Sequence, residues 1–245
     1  MIILAIIRLI LMILSLTIFI SIVLLRSLIL GENIHFGLKS RRVLMRFVSW
    51  FLGLKINKSG KIPIGTYIYI SNHRSWIDGL VLLSDLLVLP VGKMEVSRWP
   101  LIGYAAKISG VLFVKRESKD SRAATLDAVK KYIEKGFSIL IFPEGTTHTD
   151  LKTMPFKKGG FGLAAEENFS IAPIALDYEN KNDAWINDDT FIPHFLRTFK
   201  KWKTQTYINY GEPIHSNDSE ILVQKTKEWI DQKLLIINNL KQNNT

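Results

Sequence analysis

The run Asn72-His73-Arg74-Ser75-Trp76-Ile77-Asp78 sets a histidine and an aspartate at a spacing that lets them meet across a strand-to-helix turn. An imidazole can take a proton from an alcohol near neutral pH. A carboxylate on its other ring nitrogen fixes the tautomer and stabilises the imidazolium that forms. The pair therefore reads as a general base with its orienter. Ser75 is close by, but nothing like a nucleophile elbow surrounds it, so the expected nucleophile is a hydroxyl of the substrate. Two other clusters could complete a site. Lys115-Arg116 closes an apolar run with fixed cations, and the arginine fork suits phosphate. In Phe142-Pro143-Glu144-Gly145-Thr146 the glycine permits close backbone approach, and the loop amides could hold an oxyanion or a phosphate. Taken singly, these are a basic loop and a turn.

Such residues work only if the chain brings them to one place. Thr66–Ser71, Val111–Arg116, Ser138–Phe142 and Ile171–Tyr178 are short apolar, β-rich runs that read as buried strands. Between the second and third, Ser118–Lys135 carries Ala124, Leu126, Val129, Tyr132 and Ile133 at helical spacing, with Gly136 as a stop. A final helix is expected from about Asp218 to Asn239. Alternating strands and helices predict an α/β fold, a mostly parallel central sheet flanked by helices. Ligands of such sheets gather beyond the carboxyl ends of the strands, where all three polar clusters fall.

The chain has 245 residues, enough for one catalytic domain and an anchor. It contains no cysteine, which excludes disulfides and a thiolate nucleophile. Its net charge of +10 favours anionic partners. Met1–Leu30 holds only two charged side chains, Arg8 and Arg26, and Leu9–Leu25 between them is uncharged. That stretch is long enough to cross a bilayer or to hairpin within one leaflet. It is longer than the apolar part of a signal peptide and lacks a small-residue cleavage site after Leu25. Lys39, Arg41, Arg42 and Arg46 follow, and by the positive-inside rule they place the remainder in the cytoplasm, at the inner or cytoplasmic membrane. Val43–Leu54 has one apolar helical face, which suits either an interfacial helix or packing on the core. The expected organisation is residues 1–55 as anchor and interfacial helix and 56–245 as catalytic domain. Phe191–Lys203 mixes aromatics with lysines, as interfacial segments do, and the hydrophobic N-terminus favours membrane over nucleic acid as its partner.

In order, the polar clusters resemble the glycerolipid acyltransferase family, which includes the 1-acyl-glycerol-3-phosphate acyltransferases. The resemblance covers roughly residues 70–213. An Asn-His followed by four residues and Asp is met by Asn72, His73 and Asp78. A glycine, two residues, an aromatic and then a basic residue is met by Gly110, Phe113 and Arg116. Phe-Pro-Glu-Gly-Thr is met in full by Phe142 to Thr146, and a proline in an apolar strand by Pro173. The resemblance implies a fatty acyl transfer from acyl-CoA or acyl carrier protein to the hydroxyl of a lysophospholipid, lysophosphatidate first among them. His73 would then act as base and Asp78 as its partner. Arg116, Glu144, Gly145 and Thr146 fall in the second and third motifs, which bind the acceptor; Asn72, in the first motif, is counted with the substrate-binding residues, and Lys93 aligns with a lysine near the thioester. The chemistry calls for no cofactor and no metal. One position departs from the pattern. The third motif commonly continues with arginine, whereas this chain has Thr147-His148. A phosphate-directed cation is thereby missing, which opens the way to another lysolipid, unless Lys157 or Lys158 supplies it. A thioesterase, with water in place of the lipid hydroxyl, and a non-catalytic membrane adaptor are the rival readings. His148 and Asp150 have no third partner at metal-ligand spacing, and His194 and His215 suggest no role.

Overall fold

The computed structural model describes residues 1–115 and 117–243. Seven strands form one sheet in the order β1-β7-β6-β2-β5-β3-β4. They are β1 (Leu54–Ser59), β2 (Ile68–Ser71), β3 (Val88–Lys93), β4 (Leu112–Val114), β5 (Ser138–Ile141), β6 (Ile171–Tyr178) and β7 (Thr204–Tyr210). Every pairing is parallel except β6 with β7. The expected α/β class with a mostly parallel sheet is the one observed. Three strands were not expected: β1, β3 and β7. Their sequences, LKINKS, VLPVGK and TQTYINY, carry lysine, asparagine, proline or glycine instead of unbroken apolar runs.

Eight α-helices cover the sheet. They are α1 (Ile2–Leu30), α2 (Ile34–Phe51), α3 (Ile77–Asp85), α4 (Ile102–Ile108), α5 (Lys119–Glu134), α6 (Gly159–Glu166), α7 (Phe191–Phe199) and α8 (Ser219–Asn243). One face of the sheet packs its Tyr69, Leu140, Ile174, Leu176 and Ile208 under α1, α2, α3 and α7. The other packs Ile68, Ile70, Ile139 and Ile171 under α5, α6 and α8. Successive β2 residues thus point to opposite faces, each into a separate core, as the two-residue strand period requires.

The helix expected at Val43–Leu54 starts earlier and stops sooner, because Asn33 caps its N-terminus by accepting from Phe36 N and Leu54 belongs to β1. Within α2 the basic cluster is divided. Arg41 is buried and donates to the carbonyls of Ser109 and Val88, and burial pushes its pKa down to about 10. Arg46 donates to Ser84 O at 2.8 Å. Two of the four cations counted for topology are therefore structural.

The first helix is packed along one side only. Ala5, Arg8, Met12, Ser15, Leu16, Phe19, Ile20 and Val23 are buried, and the opposite side exposes Ile6, Ile7, Ile10, Ile13, Leu14, Ile18, Ile22 and Leu25. This helix is long and apolar enough to cross a membrane. Arg8 ties it down: its guanidinium donates to the carbonyls of Phe51, Phe199, Lys201 and Trp202 at 2.6–3.1 Å. Gly53 makes the approach possible. Its φ of 76° lies in the left-handed region, and a Cβ there would sit 2.3 Å from Trp202 O and 2.5 Å from Arg8 Nη2.

Candidate active site

Because β2, β3, β4, β5 and β6 run parallel, their carboxyl ends open on one edge, and each ends in a residue that could do chemistry. His73 and Asp78 lie just past β2, Lys93 closes β3, Lys115 follows β4, Phe142–Thr146 follow β5 and Tyr178 closes β6. Arg116, expected to face phosphate, lies outside the described residues.

His73 Nδ1 lies 2.7 Å from Asp78 Oδ2. The same oxygen accepts from the backbone N–H groups of Arg74 at 2.7 Å and Ser75 at 3.0 Å. The other oxygen accepts from the Tyr178 hydroxyl at 2.5 Å. Asp78 is fully buried in the first turn of α3, where the N-terminal end of the helix favours a negative charge. A carboxylate so placed accepts the Nδ1–H of the imidazole, which leaves the lone pair on Nε2. Nε2 has no hydrogen-bond partner among the described residues, and the His73 side chain is 21% exposed. The Phe142 ring stacks on the imidazole at 4.2 Å and holds its plane. What results is an oriented base with one nitrogen open to a ligand.

Tyr178 was not found from the sequence. It lies at the far end of an apolar strand, and only its place on the same sheet edge could have marked it. Burial, with the Asp78 carboxylate beside it, raises its pKa well above the usual phenol value, so it remains a donor across the physiological range. Arg74 was also missed. Its buried guanidinium donates to the carbonyls of His148 at 3.0 Å and Asp150 at 2.7 Å, which fastens the loop after β5 against the one after β2.

The third motif is built from inside. The Glu144 side chain is inaccessible to solvent. Oε1 accepts from His73 N at 2.8 Å, and Oε2 accepts from Met154 N at 2.7 Å and pairs closely with His148 Nε2. Glu144 thus sets the backbone that carries the base. His148 sits between Glu144 and Arg74 and has no metal-like surroundings; among the described residues no group of three acidic, cysteine or histidine side chains could hold a metal ion. Gly145 has φ 74°, and a Cβ there would lie 2.5 Å from Lys157 Nζ, so the lysine amine crosses directly over this loop. Thr146 is exposed beside it. Thr147, where the family pattern has arginine, turns inward and donates its hydroxyl to the Trp185 carbonyl.

Of the remaining expected residues, Asn72 is buried and exchanges two 2.8 Å hydrogen bonds with the backbone of Leu176, extending the β2–β6 pairing with a side chain. Ser75 is buried too, its Oγ accepting from Ile77 N at 3.4 Å, and it presents no nucleophile. Lys93 is half-exposed with Glu95 3.7 Å away, and β3 stands two strands from β2, about 10 Å. His194 proves structural. It accepts from Trp76 Nε1 at 3.1 Å and donates to carbonyls of the 183–184 turn, and burial lowers its pKa so that it stays neutral.

Two hollows reach residues near His73, one through Phe142 and the other through Trp76. On the α5–α6 side, a groove of about 520 Å³ runs from Val91 and Leu126 to Phe142, Gly145, Lys157 and Arg122. On the side of α1 to α4, an apolar cavity of about 240 Å³ reaches Trp76, one turn after His73.

Comparison with known proteins gives this geometry its context. The family model described as Acyltransferase matches residues 53–177, more than half of the chain. The lyso-ornithine lipid O-acyltransferase of Pseudomonas aeruginosa is 32% identical over 70% of this chain and 70% of its own length. The chloroplastic 1-acyl-sn-glycerol-3-phosphate acyltransferase BAT2 of Brassica napus is 36% identical over 44% of this chain and 32% of its own. The crystal structure of the 1-acyl-sn-glycerophosphate acyltransferase of Thermotoga maritima shares the fold, with a TM-score of 0.68 and 19% identity over 96% of this chain and 98% of that one. The matched span contains His73, Asp78 and the whole Phe142–Thr146 loop, and the chain belongs to the acyltransferase family, as an O-acyltransferase.

Proposed function

We propose that this enzyme transfers a fatty acyl group from an acyl thioester, of coenzyme A or acyl carrier protein, to the hydroxyl of a membrane lysolipid, with His73 as general base. The observation that carries the proposal is the open Nε2 of an imidazole whose Nδ1 is held 2.7 Å from buried Asp78. Nε2 takes the acceptor's hydroxyl proton as the oxygen attacks the thioester carbon. As the tetrahedral intermediate collapses, the carbon–sulfur bond breaks and the imidazolium returns that proton to the leaving thiolate. Asp78 stabilises the imidazolium, and Asn72, Glu144 and Tyr178 act through the backbone and through Asp78 without touching substrate. Lys93 is assigned to the developing oxyanion, and Gly145 and Thr146 to the acceptor.

As acceptor we favour an amino-acid lysolipid of the lyso-ornithine kind. The name of the Pseudomonas aeruginosa relative supports this, as does Thr147, which supplies no cation where the family's third motif commonly continues with arginine. Lysophosphatidate is the second reading, supported by the Lys157 amine lying over Gly145. The enzyme would sit in one leaflet at the cytoplasmic face of the inner membrane, α1 lying along the surface with its outer side in lipid, a posture supported by the Arg8 clamp and the one-sided packing of that helix. Thioester consumption by purified enzyme, with and without each lysolipid, tests the reading. Wild type should consume donor only when lysolipid is present, fastest with lyso-ornithine lipid, and His73→Ala should abolish transfer. Equal consumption without acceptor would mean a thioesterase.

A further inference from the structure

The turn into α4 is built against two preferences at once. Leu101 has φ 59° and ψ −54°, and Ile102 N donates to Pro100 O at 2.6 Å, which closes a three-residue turn around it. In a γ-turn of this hand a residue with a side chain is strained. Glycine would relieve the strain, and a polar side chain would suit the 38% exposure of the site. The sequence has leucine.

Its surroundings give a reason. Leu101 stands at the mouth of a cavity of about 680 Å³ whose rim also includes Ile13 of α1 and Ile192 of α7, the latter 48% exposed. The mouth is continuous with the aliphatic outer side of α1. Inward, this cavity shares Met12, Leu16, Trp99 and Ile102 with the smaller cavity that reaches Trp76. Its polar wall touches the loop after β2 as well: Trp185 lines it, and Trp185 N donates to the carbonyl of Arg74, the residue after His73, at 2.8 Å. An opening on an aliphatic face cannot easily admit a thioester delivered from water on a phosphorylated carrier. It admits a chain already dissolved in hydrocarbon.

Building on the lysolipid reading above, we propose that the mouth between Leu101 and Ile192 is a lateral portal through which the aliphatic chain of the lysolipid acceptor leaves the bilayer for His73, with Leu101 held out by its strained turn as the lip. The test measures kcat/KM for a long-chain lysolipid in vesicles and for a short-chain, water-soluble analogue of the same headgroup, at fixed donor and normalised to vesicle-bound enzyme. A charge facing hydrocarbon is costly, so Leu101→Asp and Ile192→Asp should each lower the vesicle-to-soluble ratio about tenfold, with the donor KM unmoved. Leu101→Gly, which relieves the strain while removing the lip, should fold at least as stably and shift the ratio the same way by less. Equal loss with both acceptors, a loss that tracks donor chain length, or a wild-type ratio once bound enzyme is counted would each overturn the portal. A wild-type enzyme that acylates neither acceptor would instead overturn the lysolipid reading.

Discussion

Asp78 accepts four hydrogen bonds: from His73, from two backbone amides and from Tyr178. An amide in its place would have to turn its NH2 toward one of those donors or toward His73. In the second case His73 Nδ1 must accept, and the proton moves to Nε2, the nitrogen that has to be empty for the reaction. Asp78→Asn should therefore lower kcat about 10³–10⁴-fold with little change in KM, as wrong-tautomer substitutions of this kind do. Steady-state kinetics on a variant whose circular dichroism matches wild type would check it, and a loss under about tenfold would mean the carboxylate does not orient the base. The sequence was informative here because both partners sit in one short run. Tyr178 was invisible for the converse reason: 100 residues separate it from Asp78 and only the β2–β6 pairing joins them. Glu144 was legible as a site residue but not in its task, since nothing local reveals that its carboxylate would be buried on three donors.

At the scale of elements, the apolar first helix and the α/β fold share a fastening. Arg8 of α1 holds the last turn of α2 through Phe51 and the α7–β7 connection through Phe199, Lys201 and Trp202. Arg8→Met keeps the length and apolar character of the helix but removes every donor from those carbonyls. Buried acceptors left unmet cost about 1–3 kcal/mol each, softened where water can enter, so the variant should lose about 2–4 kcal/mol of stability in thermal or denaturant melts while still binding vesicles. A variant as stable as wild type would show that α1 is a separable anchor. From the sequence, Arg8 looked like a charge at the end of an apolar segment, free to reach the headgroups. Its partners are carbonyls contributed from 43 to 194 residues away, and no pattern marks a carbonyl. The same limit hid β1. As an edge strand it buries only Leu54 fully and leaves Lys55, Asn57, Lys58 and Ser59 exposed, and such charges guard the edge against pairing but erase the apolar run by which strands are recognised.

Across the whole molecule, the core on the α1–α3 side contains three tyrosines, Tyr69, Tyr178 and Tyr210, and burial raises the pKa of each. For Tyr69 the value reaches about 12; Tyr178 and Tyr210, each beside an aspartate, are likewise held above the usual phenol range. In the unfolded chain all three lose their protons near pH 10. Above that pH the folded state holds protons that the unfolded state has released, so stability is complete below about pH 10 and falls as pH rises toward the folded values, by about 1.4 kcal/mol per pH unit for each phenol still protonated. The thermal midpoint should accordingly drop steeply above about pH 10, and Tyr210→Phe, although it gives up the 2.9 Å bond to Asp85, should make that drop shallower. An unchanged slope in the variant would mean that Tyr210 ionises in the fold as readily as in water. That outcome would contradict its placement in the core, because a phenol wet enough to ionise normally could not lie buried under the helices that cover this face of the sheet.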